Sequence, residues 1–310
     1  MHRMTNEAVV TASFYKNGVK TMNRHEKFSR KVGLFAMFAG PSMIAFLLFV
    51  IIPFFYGIYL TMTDWDGIST TKVFVGVQNY IALFHDTEFW GSILLTFKYV
   101  IAVVVLTNVI AFLLAVLLTS GIRGESFLRA GFFTPNLIGG IVLGFIWQFI
   151  FNRVLTTLPI FPEKSMLGGE VSAFWAMVIV QVWKESGYML LIYIAGLVGV
   201  SQDYIEAAKI DGATSSQILT RIRLPLMMQS FTICFFLTLS TTFKVYDLNL
   251  SLTEGGPYNS TKMAVMTIID KAFTYHEYGE GQAEAFAFFI IMLIVALIQL
   301  KVTSKKEVEA

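Results

Sequence analysis

Long apolar segments separated by short polar connections run along most of the chain. Six of them stand out, at about 33–60, 96–119, 131–151, 171–199, 226–246 and 283–300. Several contain runs of about 20 residues without a charge, enough to cross a hydrocarbon core roughly 30 Å thick. None shows the short alternating runs that a membrane strand requires. The pattern therefore predicts an all-α polytopic membrane protein with about six transmembrane helices.

The composition agrees with that class of protein. Hydrophobic residues make up 55% of the 310 residues, charged residues only 14%, and the mean hydropathy is +0.66. Soluble domains carry about 25% charged residues, so this chain lacks the polar surface that a globule needs in water. Cys234 is the only cysteine, which excludes an intrachain disulfide, and the four histidines have no metal-ligand spacing. We expect no metal site.

The distribution of basic residues predicts the orientation in the membrane. Most of the 23 Lys and Arg lie on one side of the six spans, in residues 1–31, 120–130, 201–225 and after 300. By the positive-inside rule, both termini and the 201–225 loop are cytoplasmic. The chain then divides into a basic cytoplasmic N-terminal tail (1–31), a transmembrane domain (32–303) and a cytoplasmic tail (304–310). For the N-terminal tail, an interfacial amphipathic helix and a disordered segment both stay open.

The polar loop at 201–225 carries helix signals of its own. Asp203 precedes Glu206 by three residues, an arrangement close to a capping box, and Gly212 offers the left-handed conformation that ends a helix. These signals predict a short helix at about 204–211. A second helix is predicted from about 214 to 223, and Leu224-Pro225 marks its boundary with the next span.

The spacing of this loop also carries a family resemblance. Glu206-Ala207-Ala208 is followed after three residues by Gly212, and after nine more by Ile222-x-Leu224-Pro225. This pattern resembles the EAA loop by which permease subunits of bacterial ABC importers dock onto their ATPases.

Two further stretches narrow the resemblance to one branch of these permeases. Residues 252–257, Leu-Thr-Glu-Gly-Gly-Pro, resemble the L-T-x-G-G-P signature of sugar permeases, and Tyr278-Gly279-x3-Ala283 is similar to the start of the last helix in that family. From about residue 33 to 302 the chain resembles the membrane subunit of a carbohydrate-uptake ABC importer, of the MalF-like or multiple-sugar-permease type. The resemblance implies the type I ABC importer permease fold.

The resemblance also implies a function. The chain would be the permease subunit of an ATP-driven sugar (oligosaccharide) importer, multi-pass in the bacterial cytoplasmic membrane and forming half of the translocation path. Its partners would be a second permease subunit, a dimer of ATP-binding subunits, an extracytoplasmic solute-binding protein, the sugar and the lipid bilayer, with no nucleic acid. ATP and Mg would be bound by the ATPase, because this chain has no Gly-Lys-Ser/Thr tripeptide and hence no P-loop.

The residues implied in coupling lie in the EAA loop. Glu206 is the candidate for an ionic contact with the ATPase, whereas Ala207, Ala208 and Gly212 would shape the fit. The full set of expected coupling residues is Glu206, Ala207, Ala208, Asp211, Gly212, Leu224 and Pro225. No catalytic residue is expected, so the chain is interpreted as a transport subunit and not as an enzyme.

Charged residues inside membrane segments are costly and by default functional. Two clusters qualify as sugar-binding candidates: Trp183, Lys184, Glu185 and Tyr188 in the fourth span, and Lys244, Tyr246 and Asp247 near the end of the fifth. In the family, the fourth to sixth helices line the sugar cavity. The alternative is that Lys184 with Glu185, and Lys244 with Asp247, are structural ion pairs that hold broken helices together. Lys98 and Glu284 lie near span ends, where we expect them to snorkel to the interface.

Other functions remain open at this point. Lys184 and Lys244 would suit an importer of another polar solute, such as glycerol phosphate. A secondary carrier could use the same intramembrane charges, but it would have no need of an EAA loop. A membrane-embedded enzyme would need a convergent acid–base or metal set, and the sequence shows none.

Overall fold

The computed structural model of the protein describes residues 24–159 and 164–305, with side chains from residue 34 onward. Residues 1–23 and 306–310, which hold most of the two predicted tails, lie outside the described residues. The chain divides into two compact units at the Gly57–Ile58 boundary. The contacts among the spans from Thr87 onward all lie within the second unit.

Helices form almost all of the described chain. In the first half the α-helices are α1 (Arg24–Phe46), α2 (Ile52–Leu60), α3 (Gln78–His85), α4 (Thr87–Leu118), α5 (Glu125–Phe133) and α6 (Gly140–Phe149). A π-turn at Leu47–Ile51 joins α1 to α2, and short 3-10 and π turns at Thr134–Leu137, Ile150–Val154 and Leu155–Thr157 flank α6. A two-residue antiparallel hairpin, β1 (Thr63–Asp64) and β2 (Val73–Phe74), pairs Thr63 with Phe74.

The second half is also helical. Its α-helices are α7 (Glu170–Gly199), α8 (Gln202–Ile210), α9 (Ser215–Ile218), α10 (Leu224–Leu226), α11 (Met228–Phe243), α12 (Asp247–Leu252), α13 (Ala264–Ile269) and α14 (Tyr278–Ser304). A 3-10 turn at Met166–Gly168 precedes α7, and π-turns at Leu219–Arg223 and Asp270–Thr274 follow α9 and α13. Between α12 and α13, the Gly-Gly-Pro part of the L-T-x-G-G-P motif contains a cis Gly256–Pro257 peptide.

The predicted membrane helices are confirmed. Among the described residues, five helices are long and apolar enough to cross a bilayer: Leu34–Leu60, Thr87–Leu118, Gly140–Thr157, Glu170–Gly199 and Tyr278–Ser304. A sixth span results if Ser215–Leu226 and Met228–Phe243, which meet at a bend of 67°, are taken together. The first span exposes Phe38 and Phe49 almost fully, as expected of side chains that face lipid.

Several predicted boundaries were wrong. The second span begins at Thr87 instead of about 96, because Asp86 caps the helix by accepting a hydrogen bond from the Phe89 N–H at 2.9 Å. The third predicted span, 131–151, is divided: α5 and a 3-10 turn containing Pro135 come first, and α6 begins only at Gly140. The last helix begins at Tyr278, earlier than 283 and in agreement with the Tyr-Gly motif.

The fourth predicted span is unbroken, although the ion-pair alternative assumed a broken helix at Lys184 and Glu185. α7 runs continuously through Gly187. The reason for a glycine here is close approach: a Cβ on Gly187 would lie 1.8 Å from the Phe132 carbonyl oxygen. The missing side chain therefore lets α7 pack directly against the backbone at the end of α5.

A buried polar network joins three of the spans. The Tyr193 hydroxyl on α7 donates to Asn108 Oδ1 on α4 at 2.7 Å, and Asn108 Nδ2 lies 3.4 Å from Thr238 Oγ1 on α11. Asn108 Nδ2 also donates to the Val104 carbonyl oxygen at 2.8 Å. Because each polar group has a partner, the network holds the three helices in one register within an apolar surrounding.

Replacing Tyr193 with Phe should destabilise the bundle modestly. The change leaves Asn108 Oδ1 buried without its donor, and such bonds between membrane helices are worth on the order of 1 kcal/mol. We expect a lower midpoint of thermal unfolding for the detergent-solubilised protein. Tyr204→Phe, at an exposed tyrosine, is the matched control and should leave the midpoint unchanged. Equal midpoints for Tyr193→Phe and the native protein would contradict the role of the network.

Two lysines form ion pairs at one end of the bundle and hold it together. We call this end, which carries residues 61–86 and 244–277, the distal end. Lys271 Nζ contacts Asp86, which caps α4, and lies 3.3 Å from Glu284 Oε1 on α14. Lys262 Nζ lies 2.9 Å from Glu88 and 2.8 Å from Asp270. Each lysine thereby links the start of α4 to the segment that leads into the last span.

The ionisation of this cluster follows from its pairing. Burial opposes the charge on Lys271 and on Lys262, but hydrogen bonds and nearby carboxylates outweigh it and raise the pKa of both lysines. Burial alone would raise the pKa of Asp86, yet the hydrogen bond from Lys271 holds that pKa below its usual value. The expectation that Glu284 snorkels to the interface was wrong: its side chain is 2% exposed because Lys271 compensates its charge inside the bundle.

Candidate functional site

The predicted helix of the 201–225 loop is present as α8, Gln202–Ile210. Its cap is not Asp203, as the sequence suggested, but Ser201, whose hydroxyl accepts a hydrogen bond from the Asp203 N–H at 3.3 Å. Asp203 instead occupies the first turn, where a carboxylate interacts favourably with the positive end of the helix dipole.

The predicted helix stop at Gly212 is confirmed. Gly212 has φ +77, and the chain leaves α8 through a Schellman motif. The Ala213 N–H donates to the Ala208 carbonyl oxygen at 2.9 Å, and the Gly212 N–H donates to that of Lys209 at 3.0 Å. A side chain at position 212 would be strained in this conformation, so the glycine fixes where the chain reverses.

The second predicted helix starts with a capping box that sequence reasoning missed. The Gln217 N–H donates to Thr214 Oγ1 at 3.3 Å, and the Thr214 N–H donates to Gln217 Oε1 at 2.7 Å. The T-x-x-Q spacing was the available signal. The helical path also continues past the predicted boundary at Leu224-Pro225, since Pro225 stands in the first turn of α10, and the chain bends only at Met227.

The loop has a small core of its own. Val200, Ile205 and Ile218 are buried together, with four partly buried residues packed against them: Ala208, Ala213, Ile222 and Leu226. Ala208 therefore faces inward, toward the loop's own core. The core packs α8 against the helical path that leads into α11.

The opposite face of α8 is open to solvent. Asp203, Glu206, Ala207 and Ile210 are all exposed there, and they recur at helical spacing. The exposed fraction of Ile210 is 86%, unusually high for an isoleucine next to a packed core. We call these four residues the docking face. Two acids, Asp203 and Glu206, come first, the small Ala207 follows, and the apolar Ile210 stands at the C-terminal end.

A polar cavity of about 310 Å³ lies between α6, α7 and the junction of α11 with α12. It is lined by Gly140, Gln181, Lys184, Glu185, Thr241, Lys244, Val245, Tyr246, Asp247 and Leu248. Five of the seven sugar-binding candidates thus meet at one cavity although they come from two separate segments. The break after Phe243 makes this possible, because α11 ends there and α12 begins at Asp247.

Comparison with known proteins agrees with this architecture. Residues 107–303 match the family described as the inner membrane component of binding-protein-dependent transport systems. The chain belongs to this permease family. It is 41% identical over 302 residues to the probable starch degradation products transport system permease protein AmyD of Thermoanaerobacterium thermosulfurigenes, covering 96% of this chain and 98% of AmyD.

Other relatives extend the comparison. The permease is 33% identical to the multiple sugar-binding transport system permease protein MsmF of Streptococcus mutans, covering 86% of this chain and 93% of MsmF. The fold is similar to a chain in the crystal structure of a bacterial ABC transporter involved in alginate import, with a TM-score of 0.77, 19% identity and coverage of 90% of this chain and 98% of that one. The predicted permease fold and the family resemblance are confirmed.

In this permease, the other two sugar-binding candidates lie away from the cavity. Trp183 packs edge to face against Trp147, with ring centroids 5.4 Å apart, and lines a separate apolar cavity of about 330 Å³. Tyr188 lies near Phe133, with ring centroids 6.5 Å apart. Trp183 projects from another face of α7 than Lys184 and Glu185, whereas Tyr188 lies about one turn further along the helix, beyond the cavity.

The alternative of structural ion pairs receives no support from the geometry. Within residues 24–159 and 164–305, no ion pair within 4.0 Å joins Lys184 to Glu185 or Lys244 to Asp247. Glu185 is 5% exposed and instead accepts a hydrogen bond from Gln181 Nε2 at 3.2 Å. Gln181 and Thr241 are lining residues that sequence reasoning missed. Gln181 stands four residues before Glu185, and this spacing on one helix face was the signal that could have found it.

Proposed function

We propose that this permease transports a sugar of oligosaccharide size and that the polar cavity is part of its path. The observation that carries the proposal is the convergence of Lys184, Glu185, Lys244, Tyr246 and Asp247 on one cavity. The proposal is also supported by the names of the relatives AmyD and MsmF, both of which refer to sugars or starch products.

The charges of the cavity favour an uncharged ligand. Lys184 and Lys244 are balanced by Glu185 and Asp247, and Gln181 adds an amide that both donates and accepts hydrogen bonds. Sugar hydroxyls donate and accept as well, so a balanced set of cations, acids and amides suits them. A phosphate ester would instead favour an excess of cations over acids. The glycerol phosphate alternative is therefore the weaker one.

The docking face would couple this path to ATP hydrolysis. Two ATP-binding subunits, which carry the ATP and Mg, would each receive the α8 helix of one permease subunit, and a second permease would form the other half of the path. Glu206 and Asp203 present negative charge to the partner, so the receiving groove would carry basic residues. With the 201–225 loop and both termini in the cytoplasm, a solute-binding protein would deliver the sugar at the distal end.

Uptake by the reconstituted complex tests the cargo. Proteoliposomes with both permeases, the ATPase and the solute-binding protein are given a panel of labelled oligosaccharides and glycerol 3-phosphate. We expect ATP-dependent uptake of at least one sugar, and a loss of about tenfold for Asp247→Ala and Tyr246→Ala, as for one hydrogen bond to a charged or polar partner. Lys301→Ala, at an exposed charged residue of α14 outside the cavity and the distal end, is the control and should transport normally.

Two results would overturn the proposal. Uptake of glycerol 3-phosphate in preference to every sugar would assign a different cargo. Normal sugar uptake by both the Asp247→Ala and Tyr246→Ala variants would move the path away from this cavity.

A further inference from the structure

We infer that Gln181 is a positioning residue that holds the Glu185 carboxylate ready to accept one particular hydroxyl of the transported sugar. The inference rests on the proposed function, since it takes the polar cavity as part of the sugar path. It adds a residue that the sequence resemblance did not single out, and it assigns one specific task to the pair.

The two side chains form a buried unit. Gln181 and Glu185 stand four residues apart on the continuous helix α7, are 4% and 5% exposed, and both line the cavity. The Gln181 amide donates from Nε2 to Glu185 Oε1 at 3.2 Å. In the described part of the chain, Glu185 Oε2 accepts no hydrogen bond, and it is not among the fully buried oxygens that lack a partner. It therefore keeps some exposed surface. One oxygen of the carboxylate is therefore fixed, and the other is left available at the cavity wall.

Burying this carboxylate has a cost that a structural role does not explain. A charged side chain within a membrane span is expensive unless it is paired or used. No lysine or arginine among the described residues lies within 4.0 Å of the Glu185 carboxylate. A single amide donor compensates the charge only in part, so the free oxygen gains most when a ligand hydroxyl donates to it.

Gln181 contributes by restricting where that oxygen points. A free glutamate samples several rotamers, and ordering a side chain of this kind on ligand binding costs conformational entropy. The amide of Gln181 fixes the carboxylate before the sugar arrives. A site built to satisfy one hydroxyl rejects an analogue that lacks it, because the buried acceptor then stays unpaired.

The test compares how strongly the transporter discriminates between a sugar and its analogues, and not only the rate of uptake. Sugar uptake by the reconstituted complex is measured at saturating loaded binding protein, with the best-transported sugar of the panel and its set of monodeoxy analogues. We expect native protein to transport one analogue about tenfold more slowly than the parent sugar. In Gln181→Leu, and in Gln181→Met as a second variant, that difference should shrink to about twofold while the ranking of the other analogues stays the same.

Two additional variants separate positioning from packing. Glu185→Gln should lose the same discrimination, and adding Gln181→Leu to it should cause little further change, because coupled residues are not additive. Ser186→Ala is the matched control, since Ser186 is a buried polar neighbour on α7 whose hydroxyl bonds the Val182 carbonyl oxygen and which lines the other, apolar cavity. It should keep the native discrimination.

The possible failures are distinguishable. An equal slowing of the parent sugar and all analogues in the Gln181 variants would mean a purely structural role and would overturn the inference. Unchanged discrimination in Gln181→Leu and Gln181→Met would overturn it as well, while the sugar path could still stand. If the native complex transports no sugar, the proposed function itself fails.

Discussion

Replacing Glu206 with Lys is expected to abolish ATP-driven uptake while membrane insertion and folding stay intact. Glu206 is exposed on the docking face and has no ion-pair partner in the described part of the chain. Reversing its charge opposite the basic groove proposed for the ATPase would replace attraction by repulsion, which costs several kcal/mol. A cost of about 3 kcal/mol corresponds to a loss of roughly a hundredfold in affinity for the ATPase.

Two measurements check this expectation. Co-purification of the ATP-binding subunits with the permease should drop in Glu206→Lys, and sugar uptake should fall to the level seen without ATP. Lys301→Glu also reverses a charge, at an exposed residue of α14 outside the docking face and the distal end, and should transport like the native protein. Full uptake by Glu206→Lys would remove this residue, and with it the docking face, from the coupling contact.

Replacing Lys271 with Met should destabilise the bundle more than any other single change considered above. Glu284 is 2% exposed and its Oε1 lies 3.3 Å from Lys271 Nζ, so the variant leaves a buried carboxylate without its cation. Asp86, the cap of α4, loses the same partner. Removing one member of a buried pair costs about 3–5 kcal/mol, because the remaining charge is neither solvated nor compensated.

Thermal unfolding of the solubilised protein measures this effect. Lys301→Met, at an exposed lysine of α14, is the control and should leave the midpoint unchanged. The double variant Lys271→Met with Glu284→Gln should recover part of the loss, since the neutral amide needs no cation. If Lys271→Met unfolds at the native midpoint, the distal ion pairs do not stabilise the bundle.

The cluster also predicts a pH dependence. Because pairing lowers the pKa of Asp86 below its unfolded value, its contribution to stability is present above the ordinary aspartate pKa of about 3.9. That contribution is lost as the pH falls through the lowered value in the folded protein. In Lys271→Met the pairing is gone, so this part of the acid sensitivity should be weaker.

The sequence predicted the spans well because lipid imposes a simple requirement on long apolar runs. It failed where local polar residues decide the boundary, as at Asp86, whose cap starts α4 nine residues before the apolar run becomes obvious. Burial of Glu284 could not be foreseen either. Its partner Lys271 lies in a different segment, and only the folded bundle brings the two together.

The candidate sites show the same division between local features, which the sequence predicts, and features that depend on packing in the folded bundle. Asp203, Glu206 and Gly212 predicted α8 and its end, because helix starts and stops are set by local residues, although the cap is Ser201 and not Asp203. In α7, the sequence pattern grouped Trp183 and Tyr188 with Lys184 and Glu185 because the four residues are close to one another along the chain. A helix turns 100° per residue, so Trp183 projects from a different face, and Tyr188 lies about one turn beyond Lys184. Gln181, one turn before Glu185, reaches the cavity instead.

The bend of 67° at Met227 gives the 201–225 loop and the polar cavity a mechanical relation. The small core of the loop makes α8 and the helical path to Leu226 one piece, and α11 continues from it for 16 residues, about 24 Å. Lys244, Tyr246 and Asp247 follow directly at its far end. Under the proposed function, a tilt of the loop would therefore displace the far end of α11 sideways, together with the three residues proposed to contact the sugar.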